Sequence, residues 1–161
     1  MALKIGDLAP DFTLKSKNLT GEIKEYTLNS YRGKNIVLLF HPAAYTGVCT
    51  DEMCSVSSGF EEYSKLNSEV FGISTDSFFA LEAWGKQYKI SFPLLSDYNR
   101  EVVTKYGTLY PDGAFLGMNG VSKRSVFVID KAGIIKHIEI LENAGNLPDF
   151  GKVKEVLKSL N

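Results

Sequence analysis

Apolar positions fall into short runs separated by polar, glycine- or proline-bearing turns, and their period changes along the chain. Phe12-Thr13-Leu14-Lys15 and Lys24-Glu25-Tyr26-Thr27-Leu28 alternate in period two around residues 18–21, which predicts an N-terminal hairpin. Residues 36–40 form an unbroken apolar run, the pattern of a buried strand. Pro42 stops that strand. After a loop of small residues a helical pattern begins near Gly47, with Val48, Cys49, Met53, Val56, Phe60 and Tyr63 at three-to-four spacing. Residues 69–75 (EVFGIST) read as the next strand, and Asp76 or Ser77 caps a helix running to about Tyr88. A short strand at 92–95 precedes a short helix, started by Asp97 or Asn99 and ending near Tyr106.

Residues 107–123 are glycine-rich and read as an irregular loop of a length that usually carries a role. Residues 124–130 and 134–141 form a hairpin across Lys131-Ala132-Gly133. Asp149 caps a final amphipathic helix with Val153, Val156, Leu157 and Leu160 on one face. Strands alternating with helices, then a hairpin and a helix, predict an α/β fold: a mixed sheet covered on both sides.

Bulk composition narrows the function classes. The 161 residues are expected to make one domain, 1–161, long enough to bury roughly 70% of the surface of the unfolded chain. Hydrophobic residues are 44% and charged residues 23%, as in ordinary globular proteins. A net charge of −1 offers no field for nucleic acid or an anionic membrane, and no apolar run approaches the ~18 residues of a membrane span. The N-terminus lacks the apolar core of a secretory signal, and two cysteines make no disulfide framework. The chain therefore reads as cytoplasmic, with an earlier-removed presequence left open.

The chemistry centres on Cys49, just inside the helix start. If Thr46 is the N-cap, Cys49 occupies the third helical position, where unpaired N–H groups and the positive dipole end favour a thiolate. The residues by themselves leave two readings: an activated nucleophile, or a small buried apolar side chain. Asp51 and Glu52, read here as first-turn residues, suit the helix dipole but oppose a negative sulfur. Arg124, at the start of a distant strand, is the cation that would outweigh them, and Glu52 is its candidate partner.

Pro42-Ala43-Ala44-Tyr45-Thr46-Gly47-Val48-Cys49 resembles the peroxiredoxin signature P-x-x-x-T-x-x-C, and residues 6–14, 92–97 and 123–130 resemble other segments of that family. The resemblance spans nearly the whole chain and implies a thioredoxin-like fold with an N-terminal extension. It also implies a peroxidase without a cofactor. By this resemblance Cys49 is the peroxidatic nucleophile, Thr46 offers its hydroxyl to the peroxide, Arg124 holds the sulfur and the departing oxygen, and Pro42 shields the sulfur. Without it, Thr46 would be an N-cap, Pro42 a strand terminator and Arg124 a solvated cation.

Cys54 lies five residues after Cys49, the spacing of the Q-type (bacterioferritin-comigratory) peroxiredoxins, in which it resolves the sulfenic acid as an intramolecular disulfide. In a helix the two cysteines sit about 140° apart with Cα atoms roughly 8–9 Å from each other. That is beyond the ~7 Å reach of a disulfide, so bridging requires the helix to unwind. Cys54 is expected on a polar face with Ser57, Ser58 and Glu61. The alternative is a bystander thiol in a one-cysteine peroxidase, as in the AhpE-like group. With no other cysteine among these 161 residues, a resolver in a C-terminal tail is not expected.

The implied partners are a peroxide, a thioredoxin or glutaredoxin-like thiol reductant, and a second copy of the chain in a homodimer, with Tyr45 a candidate contact. His41 and His137 with the cysteines match no compact zinc pattern, and His137 is expected to be solvated. No C-x-x-C motif and no dinucleotide fingerprint occur. A redox-regulated chaperone or interaction protein is the rival from another functional class.

Overall fold

The computed structural model describes residues 2–161. Its sheet has seven strands in the order β2-β1-β5-β4-β3-β6-β7. They are β1 Thr13–Ser16, β2 Lys24–Thr27, β3 Asn35–Phe40, β4 Ser68–Ser74, β5 Leu94–Ser96, β6 Ser125–Ile129 and β7 Ile135–Ile140. The helices are α1 Gly47–Ser58, α2 Phe60–Lys65, α3 Phe78–Gln87, α4 Glu101–Lys105 and α5 Phe150–Ser159. β3, β4 and β5 run parallel, whereas β1, β2, β6 and β7 pair antiparallel, so the sheet is mixed as the pattern implied.

Every residue of β3 is buried, because the strand lies mid-sheet with apolar layers on both faces. Ile36, Leu38 and Phe40 face one layer with Phe71, Val102, Tyr106 and Phe127. Val37 and Leu39 face the other, with Met53 and Val56 of α1, Leu81 and Trp84 of α3, and Val153 and Leu157 of α5. Period-two alternation places both sets on one short strand. At ~25 cal/mol per Å2 of apolar surface removed from water, these two layers are the main source of stability.

The expected helix beyond Gly47 is two helices. Gly59, the junction, donates its N–H to Ser55 and Ser57 and takes φ −96° and ψ 14°, so α1 ends there and α2 starts again at Phe60. Glycine stops a helix readily because it loses the most backbone freedom in one. The capping expectations divide. Ser77 caps α3 through Ala80 N–H at 3.3 Å, and Asp149 caps α5 through Lys152 N–H at 3.0 Å. Asp97 acts from farther upstream, accepting from the N–H groups of Glu101 (3.1 Å) and Val103 (2.8 Å). Among the described residues no helix is long and apolar enough to cross a membrane.

Candidate active site

β3 runs out at the rim of the sheet. His41 still donates its N–H to Ile73 at 2.9 Å. Pro42 follows, and without an N–H it cannot extend the ladder. The loop then folds back through Tyr45, whose φ of +66° is a left-handed conformation costing a non-glycine residue roughly 1–2 kcal/mol. Thr46 is the N-cap of α1 and Cys49 its third residue. The first intrahelical bond runs from Thr50 N–H to Thr46 at 2.9 Å, so the N–H groups of Gly47, Val48 and Cys49 precede the hydrogen-bonded ladder.

Thr46 does not cap with its side chain. Its hydroxyl donates to the Ala43 carbonyl at 2.8 Å.

Arg124 reaches this point because β3 and β6 are antiparallel neighbours, with Phe40 opposite Ser125. The residue before Ser125 therefore stands beside the chain as it leaves β3. Its guanidinium is 1% exposed and makes three contacts. Nη1 donates to Glu52 Oε1 at 2.8 Å, and Nη2 donates to Cys49 Sγ at 3.3 Å and to the Ala144 carbonyl at 3.1 Å. A permanently charged, planar donor fork is thereby aimed at the sulfur and the carboxyl with separate nitrogens. Burial alone would lower the Arg124 pKa; Glu52 and Cys49 outweigh it and leave the group firmly charged.

Glu52 differs from its expected place. The helix starts at Gly47, so Asp51 and Glu52 lie in its second turn, and Glu52 points into the protein with no exposure. One carboxyl oxygen meets Arg124, while Oε2 has no hydrogen-bond partner among the described residues. Burial accordingly pushes Glu52 up to about 7 despite the pull of Arg124.

Cys49 is fully buried and Cys54 partly so, and both are free thiols. Cys54 shares its side of α1 with half-buried Ser57 and exposed Ser58, as expected, and one flank of it also packs against the apolar layer that contains Met53, Val56 and Trp84. Five positions rotate it away from Cys49 to a half-buried place at the edge of that layer. Burial, and then the charge of Asp51, raise the Cys54 pKa. Pro42 is buried at the mouth of the loop, and Tyr45 is 50% exposed beside it.

Two neighbours were not singled out for this role from sequence. His41 is buried with neither ring nitrogen hydrogen-bonded among the described residues, 5.2 Å from the Trp84 ring. Burial lowers its pKa to about 4, against the opposing pull of Asp76 and with the push of Arg124, so the ring is neutral. Asp76 was read as a possible helix cap; instead it accepts the Ala44 N–H at 2.8 Å. The usable signal was two acceptors in a row, Asp76-Ser77, where one cap needs only one. His137, expected in solvent, is partly buried, 3.8 Å from Glu139.

The AhpC/TSA family profile matches residues 5–138. The chain belongs to the AhpC/TSA family, the peroxiredoxins. It is 37% identical to Peroxiredoxin-1 of Gekko japonicus over 161 aligned positions, covering 96% of this chain and 76% of that one. Two solved structures resemble this peroxiredoxin closely. The reduced 2-Cys peroxiredoxin of Plasmodium vivax superposes with a TM-score of 0.85 at 26% identity, over 96% of this chain and 80% of that one. Peroxidoxin BcpB of Mycobacterium tuberculosis gives 0.84 at 28% identity, over 99% of each chain.

Proposed function

We propose that this peroxiredoxin reduces hydrogen peroxide and organic hydroperoxides with Cys49 as the attacking sulfur. The Arg124 Nη2 contact to Cys49 Sγ, between two buried side chains, carries the reading. The thiolate attacks one peroxide oxygen, the O–O bond breaks, and the second oxygen leaves as water or alcohol once protonated. Sulfur is oxidised to a sulfenic acid. Arg124 and the Cys49 N–H, which precedes the helical ladder, stand where negative charge develops, and pre-aimed donors of this kind are the largest single aid such a displacement can have. Thr46 holds the peroxide and Pro42 walls the pocket.

Cys54 is assigned as the resolving cysteine, in the manner of the Q-type group. Its thiol condenses with the sulfenic acid, releasing water and forming a disulfide that thioredoxin or a similar dithiol then reduces. Both cysteines lie in the same regular helix, so the step requires the first turns of α1 to unwind. That opening also lifts the burial that suppresses Cys54 ionisation. The same raised pKa and partial burial favour a second reading, a one-cysteine peroxidase in which an outside thiol reduces Cys49 directly. Exposed Tyr45, Phe79 and Leu116 support a homodimer of this one-domain chain, 1–161.

Intact mass after one equivalent of peroxide separates the two readings. Loss of two hydrogens marks the disulfide, and gain of one oxygen marks a persistent sulfenic acid. A Cys49→Ser protein that still consumes peroxide overturns both.

A further inference from the structure

Thr46 has a single hydroxyl hydrogen, and it is committed to the Ala43 carbonyl at 2.8 Å. Toward the site Thr46 therefore presents lone pairs and can only accept. An acceptor at that position selects a protonated peroxide, the form with a hydrogen to give. What fixes this polarity is the direction of the Ala43 carbonyl. A trans peptide is planar with its C=O and N–H pointing opposite ways, so whatever holds the Ala44 N–H aims the Ala43 oxygen.

The Ala44 N–H is held by Asp76 Oδ2 at 2.8 Å. The carboxylate is itself immobilised: Ser74 Oγ donates to the same oxygen at 2.7 Å and accepts the Asp76 N–H at 3.3 Å. Ser96 Oγ donates to the Asp76 carbonyl at 2.6 Å. Ser77, not Asp76, caps α3, so the carboxylate is not needed for the helix that follows. A carboxylate on an amide N–H also makes that amide's oxygen a better acceptor, since hydrogen bonds in a chain polarise one another.

We infer that Asp76 is a positioning residue for peroxide reduction: through the Ala43–Ala44 peptide it holds the Thr46 hydroxyl as an acceptor for the hydrogen of the incoming peroxide. The hydrogen bonds of the Asp76 carboxylate go to Ala44 and Ser74, and none goes to Cys49 among the described residues. It belongs to the corner between β4 and α3, and so links the second layer of the sheet to the polarity of the pocket. The inference rests on the reading of Cys49 and Thr46 given above.

Two rates on the full-length reduced protein test it: oxidation of Cys49 by hydrogen peroxide, and alkylation of Cys49 by iodoacetamide, which needs a thiolate but no hydroxyl acceptor. In Asp76→Ala the peroxide rate constant is expected to fall about 10- to 100-fold, the size of one lost aiming contact, while alkylation stays within about twofold. Asp76→Asn, which keeps an acceptor for the Ala44 N–H, should recover to within about threefold of wild type. On a Thr46→Val background, Asp76→Ala should add no more than about a twofold loss. Should Asp76→Ala not fold, Asp76→Ser takes its place with the same expectations. Equal losses in both rates, no rescue by asparagine, or full additivity with Thr46→Val overturns the inference. Wild-type Cys49 left untouched by peroxide overturns the underlying reading instead, which keeps the two failures apart.

Discussion

Arg124 and Cys49 are 75 residues apart in the chain and 3.3 Å apart in space, guanidinium to sulfur. Nothing local joins them. The antiparallel register of β3 and β6 sets Ser125 beside Phe40, and the two chain ends that leave this pair carry the cation and the nucleophile. Arg124 spans Glu52 and Cys49 with separate nitrogens, which the single ammonium of lysine cannot do in the same geometry. Arg124→Lys is therefore expected to slow Cys49 oxidation by about 100-fold, the usual effect of removing one aimed donor. Arg124→Ala should in addition be destabilised by about 1–3 kcal/mol, because it leaves the buried Glu52 carboxyl with no hydrogen-bond partner. Stopped-flow oxidation and chemical denaturation measure the two effects.

Glu52 makes folding depend on pH in an unusual direction. Its pKa is raised by burial from the ordinary 4.5 to about 7. The folded state holds the proton more tightly than the unfolded chain. Its contribution is thus fully present below about pH 4.5 and fades as pH climbs through 7. Relative to Glu52→Gln, wild type should lose stability between pH 4.5 and 7 and show no further change above. Denaturation midpoints of both proteins across this range are the measurement. A difference that grows in favour of wild type would mean that Arg124 dominates the carboxyl.

Cys54→Ser should leave the first oxidation of Cys49 unchanged within about twofold, since Cys54 is turned away from the sulfur on a regular helix. Recycling by thioredoxin should stop. Excess peroxide should then carry Cys49 on to the sulfinic acid, a gain of two oxygens by intact mass. A variant that cycles normally with thioredoxin establishes the one-cysteine reading.

Gly72 of β4 faces the helix that carries Cys49. An added Cβ would stand 2.7 Å from Leu94 Cδ2 and 3.5 Å from Met53 Sδ. Gly72→Ala should destabilise the fold by about 1–3 kcal/mol, the ordinary cost of overpacking a filled core. The clash falls on Leu94 of β5 while Met53 stays at ordinary contact distance, so the peroxide rate measured well below the melting temperature should remain within about twofold of wild type. A fully stable variant would show that Leu94 gives way freely.

The elements were legible where periodicity was strong and local. The residues 36–40 run, the hairpins and the α5 stripe each express a local choice about which side chains avoid water, and they form within a residue or two of the expected bounds. The loop from Pro42 to Cys49 was legible too, because a proline, a cap and a helix start are sequence-local events. The break at Gly59 was not, since the apolar spacing continues through it. Nor was the apolar packing of Cys54, since one side of a helix can be polar in composition and still touch a packed layer, whereas the pairing of Glu52 with Arg124 was a candidate from the sequence. Sequence by itself determined that a cysteine opens a helix behind a buried strand. Only the tertiary structure decided how an arginine just before β6 reaches that sulfur and that an aspartate from the corner after β4 holds the loop between them. Those contacts depend on strand order and register, which no single segment encodes.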